Sequence, residues 1–122
     1  MSAAPHPTIR LKIAFDDEAR LGPGKMDLLD GIARTGSISA AGRELGMSYR
    51  RAWLLVDAVN SMFGEPCVKA AAGGAHGGGA SLTPFGERLL AAYRSLCAET
   101  EDRAAELFRG IAPRRGNRAA AS

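Results

Sequence analysis

The sequence predicts a mainly α fold with a small β wing, in which a first helix, then a short and a longer helix joined by a tight turn, precede a hairpin and one long C-terminal helix. Three observations predict it. Apolar residues recur at helical spacing in four separate segments between Lys25 and Ile111. A glycine closes each of the first three. A glycine-rich loop, GGAHGGG, lies between two short apolar runs. This element order is that of a winged helix-turn-helix with a long C-terminal dimerisation helix.

The elements follow in order. Residues 1–7 (MSAAPHP) hold two prolines and no periodicity, and read as a flexible lead-in. From Thr8 to Phe15, apolar Ile9, Leu11, Ile13 and Phe15 alternate with Arg10, Lys12 and Ala14, the period of a half-buried strand. The stretch DDEARLGPG breaks the pattern as a turn. Met26, Leu28, Leu29, Ile32 and Ala33 then mark a first helix over 25–35, stopped by Gly36. Ser37 and Ser39 are each candidate N-caps for a second, short helix reaching Leu45, with Ile38, Ala41 and Leu45 inward, and Gly46 ends it. Ser48 caps a third helix whose buried side is Ala52, Leu55, Val56, Val59, Met62 and Phe63. Residues 67–72 and 80–83 form the hairpin strands. Pro84 opens the last helix, extended from about Phe85 to Phe108. Along it Leu90, Tyr93, Cys97, Thr100, Ala104, Leu107 and Ile111 are spaced alternately three and four apart, the seam of a heptad and the expected dimer interface. One domain over 8–111, including the dimerisation helix at about 85–111, is flanked by flexible tails at 1–7 and 112–122.

Composition narrows the function classes. The 122 residues suffice for one core, and 46% hydrophobic with 24% charged residues is ordinary globular usage. No apolar run is long enough to cross a bilayer and the N-terminus lacks the features of a signal peptide, so a cytoplasmic location is expected. Cys67 and Cys97 read as separate thiols in apolar surroundings, with neither a disulfide nor metal-ligand spacing. His6 and His76 have no nucleophile or orienting carboxylate near them in sequence, and Asp16, Asp17 and Glu18 are explained by a solvated turn. No catalytic role, cofactor or metal is therefore expected. GGAHGGG lacks the Gly-Lys-Ser/Thr ending of a nucleotide cradle and opens into a strand.

The net charge of +3 suits a polyanion partner without requiring one. Placement says more. Arg114, Arg115 and Arg118 lie in the unpatterned tail, whereas Arg50 and Arg51 begin a patterned helix. The short turn at Gly46 and Met47 makes the two helices cross at a large angle, with small Ala40 and Ala41 allowing close approach, so the start of the later helix projects as a major groove requires. Its first two turns carry Ser48, Tyr49, Arg50, Arg51 and Trp53. Arginine serves either a guanine edge or a phosphate; Tyr49 serves phosphate or sugar. Trp53 lies either against the DNA backbone or in the junction with the preceding helix, and residue type alone favours the junction. Ser37 and Ser39 at the start of the preceding helix join this DNA-facing set. In the wing, Lys69, His76, Gly77 and Gly78 offer positive charge and backbone N–H groups to phosphate, the alternative being a hairpin tip without contacts.

The runs TGSISAAGRELGMSYRRAW and AGGAHGGGASLTPFGERLL resemble the N-terminal DNA-binding domain of the ModE family of molybdate-responsive regulators, over about residues 24–96, and more distantly the winged helix of LysR-type regulators. The resemblance implies a bacterial transcriptional regulator that dimerises through its long terminal helix and binds a palindromic operator, with Ser48, Tyr49, Arg50, Arg51 and Trp53 at the recognition positions. Expected partners are double-stranded DNA, a second copy of the chain and the transcription machinery. In full-length ModE, molybdate-binding domains follow this one. Here a short arginine-bearing tail follows Ile111, so the expected form lacks them. Two alternatives stand beside this reading: a protein-interaction scaffold that retains the helix-turn-helix, and a single-domain regulator that senses molybdate at its dimer interface.

Overall fold

A computed structural model describes residues 6–70 and 79–114. The elements are β1 (Ile13–Ala14), β2 (Arg20–Leu21), α1 (Pro23–Thr35), α2 (Ile38–Glu44), α3 (Tyr49–Met62), β3 (Val68–Ala70), β4 (Ala80–Leu82) and α4 (Pro84–Leu107). Each helix is bounded by the residues its sequence offers. Ser37 Oγ accepts the Ala40 N–H at 3.0 Å, Ser48 Oγ accepts the Arg51 N–H at 3.1 Å, and Gly36 closes α1 in the left-handed region at φ 72°. Thr83 Oγ1 caps α4 by accepting the Gly86 N–H at 3.0 Å, while donating to the Pro66 carbonyl at 2.7 Å. One hydroxyl thus joins the start of α4 to the strand entry.

The core lies between α1, the buried side of α3, the β3–β4 hairpin and the first half of α4, and includes Leu29, Ile32, Val56, Val59, Cys67 and Leu90. The hairpin is antiparallel, with Val68 opposite Leu82, Lys69 opposite Ser81 and Ala70 opposite Ala80. Its second strand is fastened to the end of α1 by the Ala80 N–H donating to the Gly36 carbonyl at 2.9 Å. At the base of the hairpin α4 passes so close that a Cβ on Gly86 would meet the Cys67 carbonyl, so only glycine fits there. Burial pushes the Cys67 thiol pKa up, with the nearby Glu65 carboxylate adding to the shift, and both cysteines are free.

Three expectations change. The strand expected over 8–15 is a strand only at Ile13–Ala14, and its partner Arg20–Leu21 comes from the segment expected to be a turn. The reason is what the extended chain lies on. Residues 6–11 run along α4: the Leu11 carbonyl accepts from the Tyr93 hydroxyl at 2.7 Å and the Ile9 N–H donates to Glu101 Oε2 at 3.0 Å. An extended segment alternates its side chains whether a strand or a helix lies beside it, so Ile9, Leu11 and Ile13 are half-buried while Arg10 and Lys12 are exposed. Phe15 leaves that pattern: it is exposed and meets Phe63 edge to face at 5.3 Å. The turn between β1 and β2 is held by Asp16, whose carboxylate accepts the N–H groups of Ala19 and Glu18. These bonds hold its pKa below the usual carboxylate range.

Second, Leu45, expected inward, is exposed at the C-terminus of α2, and Ala33 is exposed on α1. Third, the heptad seam of α4 is divided. Leu90 and Tyr93, expected in a dimer interface, are buried in their own chain at 4% and 9% exposure. Cys97, Thr100 and Ala104 are half-buried, partly beneath the N-terminal segment, and Leu107 and Ile111 are 61% and 68% exposed. The first half of the seam completes the fold, Leu107 is left open at its end, and Ile111, expected on the same helix, falls outside it because α4 stops at Leu107 and the chain turns at Gly110 with φ 83°.

Candidate nucleic-acid interface

The site is built by the packing of α2. Two contacts seat it. On one side Ala41 is fully buried against Gly31 of α1, where an added Cβ would come within 2.8 Å of the Ala41 Cβ. On the other, Gly42 faces Ala52 of α3, where an added Cβ would lie 3.1 Å from the Ala52 Cβ. The sequence points to Ala40 and Ala41 for the approach between α2 and α3. The structure gives that role to Gly42 and turns Ala41 toward α1. Gly46, at φ 71°, reverses the chain after α2, with the Gly46 N–H donating to the Arg43 carbonyl and the Met47 N–H to the Gly42 carbonyl. Only residues 45–48 separate the two helices, the short turn of a helix-turn-helix pair.

With Ala52, Val56 and Val59 turned inward, the N-terminal half of α3 presents Tyr49, Arg50, Arg51 and Leu54 to solvent. Trp53, which residue type places in the helix junction, is instead on the surface at 37% exposure and meets Tyr49 edge to face with 6.2 Å between ring centres. Among the described residues neither Arg50 nor Arg51 makes an ion pair. Arg34 is bound to Asp30 and Glu44, Arg94 to Asp30, and Arg10 to Asp27. The Arg34 guanidinium holds the Glu44 carboxyl below its usual pKa range. These structural arginines have carboxylates in place; the pair on α3 has charge to offer.

The remaining expected residues fall as follows. Ser37 spends its hydroxyl on the cap of α2, and Ser39 Oγ accepts from Arg43 Nη1 at 3.1 Å, orienting an exposed guanidinium that the sequence reading passed over. Ser48 is exposed and caps α3. Lys69 is exposed on β3. His76, Gly77 and Gly78 lie outside the described residues. No cluster of three or more potential metal ligands occurs among the described residues, and no described helix is long and apolar enough to cross a membrane.

Asn60 is a second residue that the sequence pattern does not single out. From the last turn of α3 its Oδ1 accepts the N–H groups of Cys67 and Val68 at 2.8 and 2.9 Å, and its Nδ2 donates to the Val68 carbonyl at 3.1 Å. The side-chain amide pairs with Val68 as a strand backbone would, and so ties the wing to the helix that carries the arginines. The available signal was an amide one turn after Val56, on the margin of an otherwise apolar stripe.

No family model matches the chain. Among curated proteins it is 55% identical over 78 residues to the molybdenum-pterin-binding protein MopB of Rhodobacter capsulatus, covering 64% of this chain and 29% of that protein. It is 34% identical over 100 residues to the DNA-binding transcriptional dual regulator ModE of Escherichia coli K12, covering 82% of this chain and 38% of that one. The chain thus spans about a third of the length of the curated relatives it matches. Among solved structures it superposes on the full-length LysR-type regulator LysG of Corynebacterium glutamicum with a TM-score of 0.55 at 25% identity, over 71% of this chain and 28% of that one. The CbnR DNA-binding domain, solved in complex with DNA, gives 0.56 at 20% identity, over 70% of this chain and 97% of that domain. The chain carries a ModE-like helix-turn-helix within a LysR-like winged helix fold.

Replacing Asn60 by alanine leaves two part-buried N–H groups and a carbonyl without their partner, and is expected to lower unfolding stability by about 1–3 kcal/mol. In amide exchange the loss should be concentrated at Cys67 and Val68. A variant within about 0.3 kcal/mol of the parent in a urea melt contradicts the clamp.

Proposed function

We propose that this chain binds double-stranded DNA and regulates transcription, with α3 as the recognition helix seated in the major groove. The observation that carries this reading is that Arg50 and Arg51 are exposed on the first turn of a helix held outward by α2 and have no ion-pair partner among the described residues. The likeness to proteins named as transcriptional regulators supports it, as does the likeness in fold to a domain bound to DNA. In this reading Tyr49, Arg50, Arg51 and Trp53 meet base edges and backbone, Ser48 and Arg43 approach the flanking phosphates, and Lys69 brings the wing to the backbone alongside.

The acting unit in this proposal is a homodimer on a palindromic operator. Leu107 at the end of α4, with Phe108 and Ile111 just beyond it, are large apolar side chains exposed on the surface, and a second copy of the chain would cover them. Two-fold symmetry then sets the recognition helices about 34–36 Å apart, or a multiple of that. Thr100 and Ala104 extend the contact; Leu90 and Tyr93 take no part in it.

Substituting Arg50 and Arg51 by alanine should each weaken binding to a selected duplex by about 1–3 kcal/mol, flatten the slope of log affinity against log salt by about one, and leave thermal unfolding unchanged. Affinity independent of salt contradicts the phosphate contacts. Substituting Leu107 and Ile111 together by aspartate should give a folded monomer in sedimentation, with operator affinity lowered by more than about tenfold. A parent protein that sediments as a monomer at micromolar concentration contradicts the dimer.

A further inference from the structure

The outward start of α3 carries more than charge. Tyr49 and Leu54 are 62% and 56% exposed, and with Trp53 they form an apolar surface directly beside Arg50 and Arg51. Arg50 and Leu54, four residues apart, lie on one row of the helix, and Tyr49 and Trp53 on the neighbouring row. Contacts to phosphate are made by hydroxyl, amide and cationic groups, none of which requires large apolar neighbours in water. The exposed guanidiniums, without ion-pair partners among the described residues, select a polyanion as the occupant of this surface. On a duplex, the apolar feature that base edges present in the major groove is the 5-methyl group of thymine.

We propose that Trp53 and Leu54 read thymine 5-methyl groups while the adjacent arginines hold a guanine edge or phosphate, so that the half-site is specified in part by apolar contact. The inference rests on the DNA reading above and adds the chemistry by which that surface discriminates. The Tyr49 ring edge supports the indole of Trp53, which lowers the side-chain freedom lost on contact. Successive residues diverge by about 100° around a helix, so Trp53 and Leu54 meet methyl groups on different base pairs. Two thymines per half-site follow from that divergence.

The test uses the full chain and duplexes enriched by it from a randomised pool. Each thymine is replaced singly by uracil, which removes the methyl group and keeps the pairing. The expected result is a loss of about three- to tenfold at one or two positions in each half-site, and little effect elsewhere. Leu54→Ala should show the same loss on the thymine duplex and little further loss on the uracil duplex at one of those positions, whereas Arg50→Ala weakens both duplexes equally. The scan with the parent protein decides the matter whether or not a Trp53→Ala variant folds. Sequence-specific binding with every uracil effect below about twofold overturns the inference and leaves the DNA reading standing. Failure to enrich any duplex overturns both.

Discussion

Helix α2 is held between two close contacts, Gly31 of α1 against Ala41, where a Cβ has no room, and Gly42 against Ala52 of α3, where a Cβ would be tight. Everything outward of the core depends on that double close approach. A packed interior accommodates added volume by shifting whole elements, so a methyl group gained at either contact displaces α2 and with it the angle at which α3 leaves the body. The angle decides whether Tyr49, Arg50, Arg51 and Trp53 face solvent together. Hydrogen bonds then fix the ends: Ser37 and Ser48 cap the two helices, Gly46 turns the chain between them, and Asn60 locks the wing to α3.

Charge is sorted in the same way. Arg34 of α1 and Arg94 of α4 meet carboxylates, and the chain Arg94, Asp30, Arg34, Glu44 crosses three helices. Each of these side chains is exposed enough for water to screen the attraction, so their effect is on orientation more than on stability. On α3 the arginines have no such partners among the described residues. A modest overall charge of +3 therefore gives little indication of where usable charge lies. The apolar residues between those arginines separate this face from a merely solvated one.

The sequence made most of this legible because local signals and tertiary packing agree. Ser37, Gly46, Ser48 and Pro84 stand at helix boundaries in the fold as their chemistry requires, and the inward set Ala52, Val56 and Val59 is the observed core of α3. What misled was a signal with two physical sources. Period-two alternation over 8–15 reports an extended chain with one covered side; it does not say that α4, through Tyr93 and Glu101, is the cover. Heptad spacing along α4 likewise reports an apolar seam without saying whose core fills it, and Leu90 and Tyr93 went to their own chain. Trp53 followed residue type in the sequence reading and geometry in the structure. Asn60 left only a faint trace, since a polar residue on a stripe margin is common and its partners lie on another element.

The central claim is that a duplex is received on the N-terminal half of α3. Amide hydrogen exchange with and without a selected duplex tests it most directly, because backbone groups report contact without altering any side chain. Exchange should slow at residues 48–54 and around Lys69, with the last turns of α4 unchanged by DNA beyond what dimerisation confers. Protection confined to α4, or spread evenly over α1 and the N-terminal segment while 48–54 exchanges freely, would contradict it.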